Sequence, residues 1–246
     1  MSLVTVLTVT YNSEKTIARA IESVLVQTFS EKFQYIVIDG GSDDRTVEIA
    51  RCYCEKFKNR NVDYTVISEK DNGMYDALNK GARLAVGEIV GQVNSDDYYE
   101  PDALEKITEF YKKENFDLAW TDLQIIKNGK PLMVKKAKIG KIWSTAGFCH
   151  PTMFTKRSVL LEFPYAERGT DDDFDMATKV YKSGKKVMTF PVVLSNYAIG
   201  GMGSEKSFAK MKDRIRMKYA TYRRNGFSRL YWFYSAGVEI AKFILG

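Results

Sequence analysis

Carboxylates gather at three places in this chain of 246 residues: Asp39 ahead of Gly40-Gly41, the pair Asp96-Asp97 after Asn94-Ser95, and the run Asp171-Asp172-Asp173. The first two follow apolar runs, so they stand where a strand would end. Acids in such a position repel a polyphosphate unless a divalent cation lies between them, and hard oxygen ligands suit Mg2+ or Mn2+. The third group opens a helical pattern, where acids complement the helix dipole whatever else they do. Neither a Gly-x-Gly-x-x-Gly nor a Gly-Lys-Ser/Thr loop is present, which argues against a dinucleotide oxidoreductase and a P-loop enzyme.

The elements that must position these acids alternate in type. Residues 3–9 form an apolar, β-rich run that ends in Thr10-Tyr11-Asn12, and Ile17, Ala20, Ile21, Val24 and Leu25 recur at helical spacing. A second strand at 35–38 stops at Asp39 and yields to a helix through Ile49. A third strand is expected at 62–68, a helix at 75–86, and a fourth strand at 88–93 running into Asn94-Ser95-Asp96-Asp97. Asp102 starts a helix after that motif. This alternation predicts an α/β fold, a Rossmann-like, mostly parallel sheet flanked by helices, in which ligands bind beyond the carboxyl ends of the strands. A fifth strand at 118–126 closes on Asn128-Gly129-Lys130-Pro131 as a hairpin turn, a helix runs to Lys182, and a short strand follows at 187–193. The pattern from about 132 to 170 is irregular. Gly200-Gly201-Met202-Gly203-Ser204 reads as a plain connector or as a lid, since glycines permit the backbone swing a lid needs.

With 45% apolar and 13% aromatic residues the chain has ample material for a core, and a disordered chain or a polytopic membrane protein is excluded. Three cysteines make no disulfide framework; Cys52 and Cys54 are expected as helix-surface thiols, and a cytoplasmic setting follows. The first residues lack the basic start and cleavage site of a signal peptide, so no export is expected. The net charge of +6 is unevenly placed: residues 206–246 hold ten Lys or Arg and two acids, leaving residues 1–205 at −2. We therefore expect a catalytic domain over 1–205 with halves at 1–100 and 101–205, and a basic, aromatic helical tail over 206–246.

Five segments in order resemble the family-2 glycosyltransferases, inverting enzymes of the A-type glycosyltransferase fold used in bacterial polysaccharide, exopolysaccharide and O-antigen assembly. They are TVTYN with SVLVQTF, YIVIDGGSDDRT, EKDNGMYDALNKGARLAVGEIVGQVNSDDYYEPDAL, CHPTMF and DDDFDMATKVYKSGKKV. The resemblance implies a nucleotide-diphosphate sugar donor, UDP foremost. It implies a site in which Tyr11 stacks on the base between Thr10 and Asn12, and Asp39 accepts a hydrogen bond from the base. Asp71 and Asp76 fall in the donor-loop block, or serve as turn and helix-start residues. Asp96, near the ribose or metal, and Asp97 match the acid motif that holds Mn2+ or Mg2+; Ser95 ahead of the pair leaves open which acid touches the metal. Asp173 matches the catalytic base, with Asp172 as its competitor. His150 lies in an acceptor-side loop, either as a packed ring or as a group at the acceptor or diphosphate.

The acceptor implied is a glycan or a polyprenyl-diphosphate-linked sugar. An apolar stretch of the tail falls short of the roughly 20 residues a spanning helix needs. Its aromatics are expected at an anionic membrane surface on the inner face, on the catalytic domain, or in a homodimer contact. Two rival functions are weaker. A sugar-nucleotide-forming nucleotidyltransferase should carry a Gly-rich basic phosphate loop, which Tyr11-Asn12-Ser13-Glu14-Lys15 is not. A non-catalytic binding module for nucleic acid would need a basic aromatic platform, which the body lacks.

Overall fold

The computed structural model describes residues 3–140, 143–168, 171–199 and 207–245. Its first half is the expected alternation: β1 (Val4–Thr10), α1 (Ile17–Leu25), β2 (Gln34–Asp39), α2 (Thr46–Arg51), α3 (Cys54–Asn59), β3 (Asp63–Ser68), α4 (Met74–Leu84) and β4 (Ile89–Gln92). Then come β5 (Tyr98–Tyr99), α5 (Ala103–Glu114), β6 (Leu118–Lys127), β7 (Lys130–Lys135), β8 (Phe154–Lys156), α6 (Arg157–Glu162), α7 (Asp172–Lys182) and β9 (Val187–Ala198). The tail forms α8 (Phe208–Arg224) and α9 (Tyr231–Leu245).

All described strands join one mixed sheet of order β3-β2-β1-β4-β8-β6-β9-β5, with β7 paired to β6. β1 through β4 run parallel, which puts Asp39 and the residues after Gln92 at one edge. Every residue of β1 and of β2 is buried, as a strand covered on both faces must be. Alternate residues feed two cores: Val4, Val6, Tyr35 and Val37 pack with Ile17, Ile21 and Val24 of α1, whereas Leu7, Val9, Ile36 and Ile38 pack with Leu78 of α4.

The irregular stretch resolves into β7, β8 and α6. β8 has three residues and runs antiparallel to both β4 and β6, so its place comes from its partners rather than from any local period. The helix expected through Ile49 continues to Arg51 and is followed, after Cys52 and Tyr53, by α3. Cys52 and Cys54 are exposed, and Cys149 is buried.

The tail docks onto the body through a defined helix stop. Gly226 adopts φ +74, its N–H reaches Arg223 O at 3.1 Å, and Phe227 N–H reaches Tyr222 O at 3.0 Å. These are the two bonds of a Schellman ending, and the Tyr222 and Phe227 rings supply its apolar contact at 5.4 Å. Tyr222 is fully buried, its ring edge-on to Phe174 of α7 at 5.6 Å and its hydroxyl donating to Trp143 O. Asn225 Nδ2 donates to Asp175 Oδ1 at 2.7 Å. Between the two tail helices, Lys218 and Glu239 form an ion pair with both side chains under 5% exposed. The opposite side of α9 presents Trp232, Phe233, Ile240 and Ile244 outward.

Candidate active site

Three loops leave the carboxyl ends of β1, β2 and β4 and are laced together. Gly40 N–H donates to Thr10 O at 2.9 Å. Asn12, at φ +48, donates its N–H to Ser42 Oγ at 2.8 Å and accepts Asp43 N–H on Oδ1 at 3.1 Å. Asparagine tolerates that left-handed backbone better than most residues. Ser13 Oγ meets Ser95 Oγ at 2.9 Å, which ties this pair of loops to the Asn94–Asp97 turn. Tyr11 stands 56% exposed above them, a free aromatic face at the edge where a base could stack.

Asp39 is fully buried, and its carboxylate is occupied by its own surroundings. Oδ2 accepts Gly41 N–H at 3.0 Å, Ser42 N–H at 2.9 Å and Ser68 Oγ at 2.7 Å, while Oδ1 accepts Ser42 Oγ. These bonds hold the loop after β2 in shape, and a ligand base would share atoms already engaged. Asp71 lies against the same strand end, since a Cβ on Gly40 would come within 2.8 Å of Asp71 Oδ2. Asp71 Oδ1 accepts Gly73 N–H at 2.8 Å, and Asp76 Oδ2 accepts Asn72 N–H at 3.0 Å. Both acids therefore shape the turn that enters α4.

Asp97 is fully buried beside Asp96, and burial with the Asp96 charge pushes its carboxyl up to about 7. It accepts Asn94 Nδ2 at 2.9 Å and Ala198 N–H at 3.2 Å, so β9 and the β4 turn meet at this residue. Asn94 Oδ1 is buried without a hydrogen-bond partner among the described residues. A hard cation suits such a set of two carboxylates and an orphaned amide oxygen. Among the described residues no group of three His, Cys, Asp or Glu gathers to hold a metal.

Asp173 lies in the first turn of α7, with its side chain 15% exposed. Oδ1 accepts Phe174 N–H at 2.7 Å, Oδ2 lies 3.4 Å from His150 Nδ1, and the Tyr75 hydroxyl donates to the carboxylate. Burial raises this carboxyl to about 6 and pushes the His150 imidazole down to about 3, so the ring is neutral where the acid is charged. Tyr75 and Tyr165 stack at 5.2 Å and flank the imidazole, each ring 6.3 Å from it. Gln92 Nε2, on the last residue of β4, donates to His150 O at 3.1 Å and so brings this cluster to the same sheet end as Asp97. Consecutive helical residues point about 100° apart. Asp172, 2% exposed, accordingly turns away and accepts Arg168 N–H.

Asn94 and Asp175 lie inside quoted motifs without a role read from the sequence, and Tyr75 and Tyr165 join the site only in the fold. Tyr75 lies inside the quoted donor-loop block, but Tyr165 carries no local signal: Asn79 brackets its backbone, donating to Tyr165 O and accepting Tyr165 N–H. Asp175 is fully buried and pairs with Lys179 at 2.8 Å. The glycine loop at 200–204 lies outside the described residues.

A parallel block extended by an antiparallel insertion, with acids at one edge and a helical extension behind, is the A-type glycosyltransferase fold. The S. aureus TarS 1-349 structure in complex with UDP-GlcNAc aligns over 99% of this chain and 72% of its own, at TM-score 0.73 and 20% identity. A mannosyltransferase from Pyrobaculum calidifontis, solved with GDP-Man and Mn2+, aligns over 99% of this chain and 75% of its own at TM-score 0.67 and 21% identity. The chain belongs to glycosyl transferase family 2, whose family model matches residues 5–169. It is 32% identical to an Escherichia coli chondroitin synthase over 192 residues, 74% of this chain and 27% of that protein. A PGL/p-HBAD biosynthesis glycosyltransferase of Mycobacterium bovis is 26% identical over 210 residues, 82% of this chain and 80% of its own. The chain thus spans about a quarter of the length of the chondroitin synthase it matches. The family match ends just before Asp173, so the acid at that position rests on geometry and on the motif after it.

Proposed function

We propose that this domain is an inverting hexosyl- or N-acetylhexosaminyltransferase. It moves a sugar from a nucleotide-diphosphate donor, UDP-linked in the first instance, to a glycan or polyprenyl-diphosphate-linked acceptor in cell-surface polysaccharide synthesis. The observation that carries the reading is Asp173, a largely buried carboxylate held by a neutral imidazole and a tyrosine hydroxyl at the sheet end that also bears Asp96 and Asp97. In a single displacement Asp173 takes the acceptor hydroxyl proton as that oxygen attacks the anomeric carbon. The bond to the nucleotide diphosphate breaks, and its electron pair leaves with the diphosphate. Asp97, Asp96 and Asn94 Oδ1 would hold Mn2+ or Mg2+, which when bound offsets charge on the diphosphate. Tyr11 offers the base a stacking face, and the loop organised by Asp39, Asp71 and Asp76 lies below it. UDP is favoured by the likeness to a UDP-GlcNAc-bound structure; GDP is the alternative given by the mannosyltransferase.

The test is thermal stability with UDP-, GDP- and dTDP-sugars, each with Mn2+ and with chelator. One nucleotide at about 100 times its Kd should stabilise the fold by about 2.7 kcal/mol, and only with metal present. Absence of stabilisation by all three would sink the donor assignment.

The same reading puts the enzyme in the cytoplasm, peripheral on the inner membrane face. No helix among the described residues is long and apolar enough to cross a membrane. The outward Phe233, Ile240 and Ile244 lie at helical spacing on α9, beside the basic α8, which supports an interfacial contact. Protein should float with vesicles containing anionic lipid and detach at high salt, whereas Phe233→Glu should remain in the soluble fraction. Equal flotation of both proteins would remove the membrane contact.

A further inference from the structure

Residues 163–171 join α6 to α7 with no helix or strand among those described, yet they bring Tyr165 to the side of Asp173. One side chain of α4 holds this segment. Asn79, 6% exposed, donates from Nδ2 to Tyr165 O and to Glu167 Oε1, each at 2.9 Å, and accepts Tyr165 N–H on Oδ1 at 3.0 Å. A primary amide offers a donor and an acceptor side by side, so it pairs with both backbone groups of one residue as a neighbouring strand would. Both N–H groups of Nδ2 are spent. Glu167 sits at φ +56, a backbone state that a non-glycine residue keeps only where its surroundings enforce it.

What the amide fixes in place is the Tyr165 ring. That ring is buried, stacks on Tyr75 at 5.2 Å and stands edge-on to the His150 imidazole at 6.3 Å. His150 Nδ1 lies 3.4 Å from Asp173 Oδ2, and its Nε2 is buried with no hydrogen-bond partner among the described residues. The two tyrosines therefore wall a pair whose geometry no other side-chain bond to the imidazole secures. Tyr75 and Asn79 are four residues apart on α4 and share one helix face. Asp76, on the same helix, shapes the turn that enters it.

From this arrangement we infer that Asn79 is a positioning residue for the base: it acts through Tyr165, which it clamps against the His150–Asp173 pair, and touches no substrate itself. The inference rests on the reading of Asp173 as base and adds to it the residue that keeps the base aimed and dry.

His150 is the only histidine of the chain, so its imidazole NMR signals can be followed without assignment. The titratable groups facing the pair are Tyr75 from α4, Tyr165 from the connecting segment, and Asp171 and Asp172 from the start of α7. Burial pushes both tyrosine hydroxyls up, so neither titrates between pH 5 and 8. In the wild type the imidazole should stay neutral over that range, since burial pushes it down to about 3. Asn79→Asp keeps an acceptor for Tyr165 N–H but loses the donor and turns a carboxylate toward Glu167. Water should then reach the pair, and the imidazole should titrate nearer its ordinary 6.5. Adding Glu167→Gln, whose amide donates to the new carboxylate, should restore part of the wild-type behaviour. Tyr165→Leu keeps the backbone clamp but removes the ring, and should reproduce the imidazole titration. In turnover, Asn79→Asp should lower kcat about tenfold or more with donor affinity kept within about twofold, as for a misplaced reacting group. Asn79→Ala, which adds no charge, takes its place if that variant does not fold. An imidazole that stays neutral from pH 5 to 8 in a folded Asn79 variant or in Tyr165→Leu overturns the inference, as does a loss of donor affinity equal to the loss of kcat. The imidazole measurement uses neither donor nor acceptor, so its failure is distinct from failure of the glycosyltransferase reading, which shows in the nucleotide stability measurement.

Discussion

Asp173→Asn is expected to keep nucleotide-sugar binding and to lose sugar transfer by about 10²- to 10⁴-fold, the usual contribution of a positioned general base. The side chain is isosteric, so the contact with His150 survives, but the amide cannot take a proton. In the wild type the base must be ionised, so kcat/KM should fall as pH drops below about 6, the value to which burial raises this carboxyl. His150, pushed down to about 3 by burial, adds no limb between pH 5 and 8. The stability consequence has the opposite sign to the usual salt-bridged acid. A carboxyl raised from 3.8 to about 6 favours its protonated form in the fold, so its contribution is present in full below pH 3.8 and is lost as pH rises through 6. At neutral pH the ionised acid costs up to about 3 kcal/mol, less whatever its residual solvent contact screens. Asparagine should remove that cost, giving an inactive protein that is more stable than the wild type at pH 8 and nearly equal at pH 4. Denaturant unfolding at the two pH values with parallel turnover assays checks this, and undiminished turnover in the variant would exclude Asp173 as base.

The second large effect concerns the ion pair inside the tail. Lys218 and Glu239 are 4% and 3% exposed, so deleting one removes the ion-pair partner of a charge in a site that cannot hydrate it. Lys218→Met alone should destabilise the docking of α9 by about 3–5 kcal/mol. The double change Lys218→Met with Glu239→Leu should recover most of that, because two apolar side chains of similar volume replace two desolvated charges. Trp232 sits on α9, whereas Trp120 and Trp143 are buried in the body, so a chain keeping only Trp232 reports the tail separately from the core. A single variant within 1 kcal/mol of the wild type would show that this pair is hydrated in solution.

The first half of the fold is legible because β1, β2 and β4 are apolar runs that stop at polar turns. β5, with two residues, and β8, with three, are too short to show any period. β8 exists because β4 and β6 leave an antiparallel slot between them. β9 runs to Ala198, beyond the expected end at 193, since its pairing with β6 resumes after irregularities near Asp122. At the site, Asp96-Asp97 and Asp173 stand out by type and by motif. Their surroundings do not, because Tyr75, Gln92, His150 and Tyr165 meet only in three dimensions. Most of the engagement of Asp39 is local, since Asp-Gly-Gly-Ser is itself a hydrogen-bonding turn, but Ser68 of β3 adds a donor that only the sheet pairing brings near. In the tail, a count of charges treats Lys218 as part of a solvated basic face, when its partner twenty-one residues later takes it into the interior.

Tyr222 touches Phe174, the neighbour of Asp173 in the chain. The helix turn that bears the proposed base is thus braced by the segment that composition marks as an appendage. Cutting before α8 would uncover Trp143 and Phe174 and take away Asn225 from Asp175. A displacement of the tail would reach the first turn of α7 through the Tyr222–Phe174 contact and the Asn225–Asp175 bond together. On the proposed function, a contact that holds the tail is then expected to alter turnover as well.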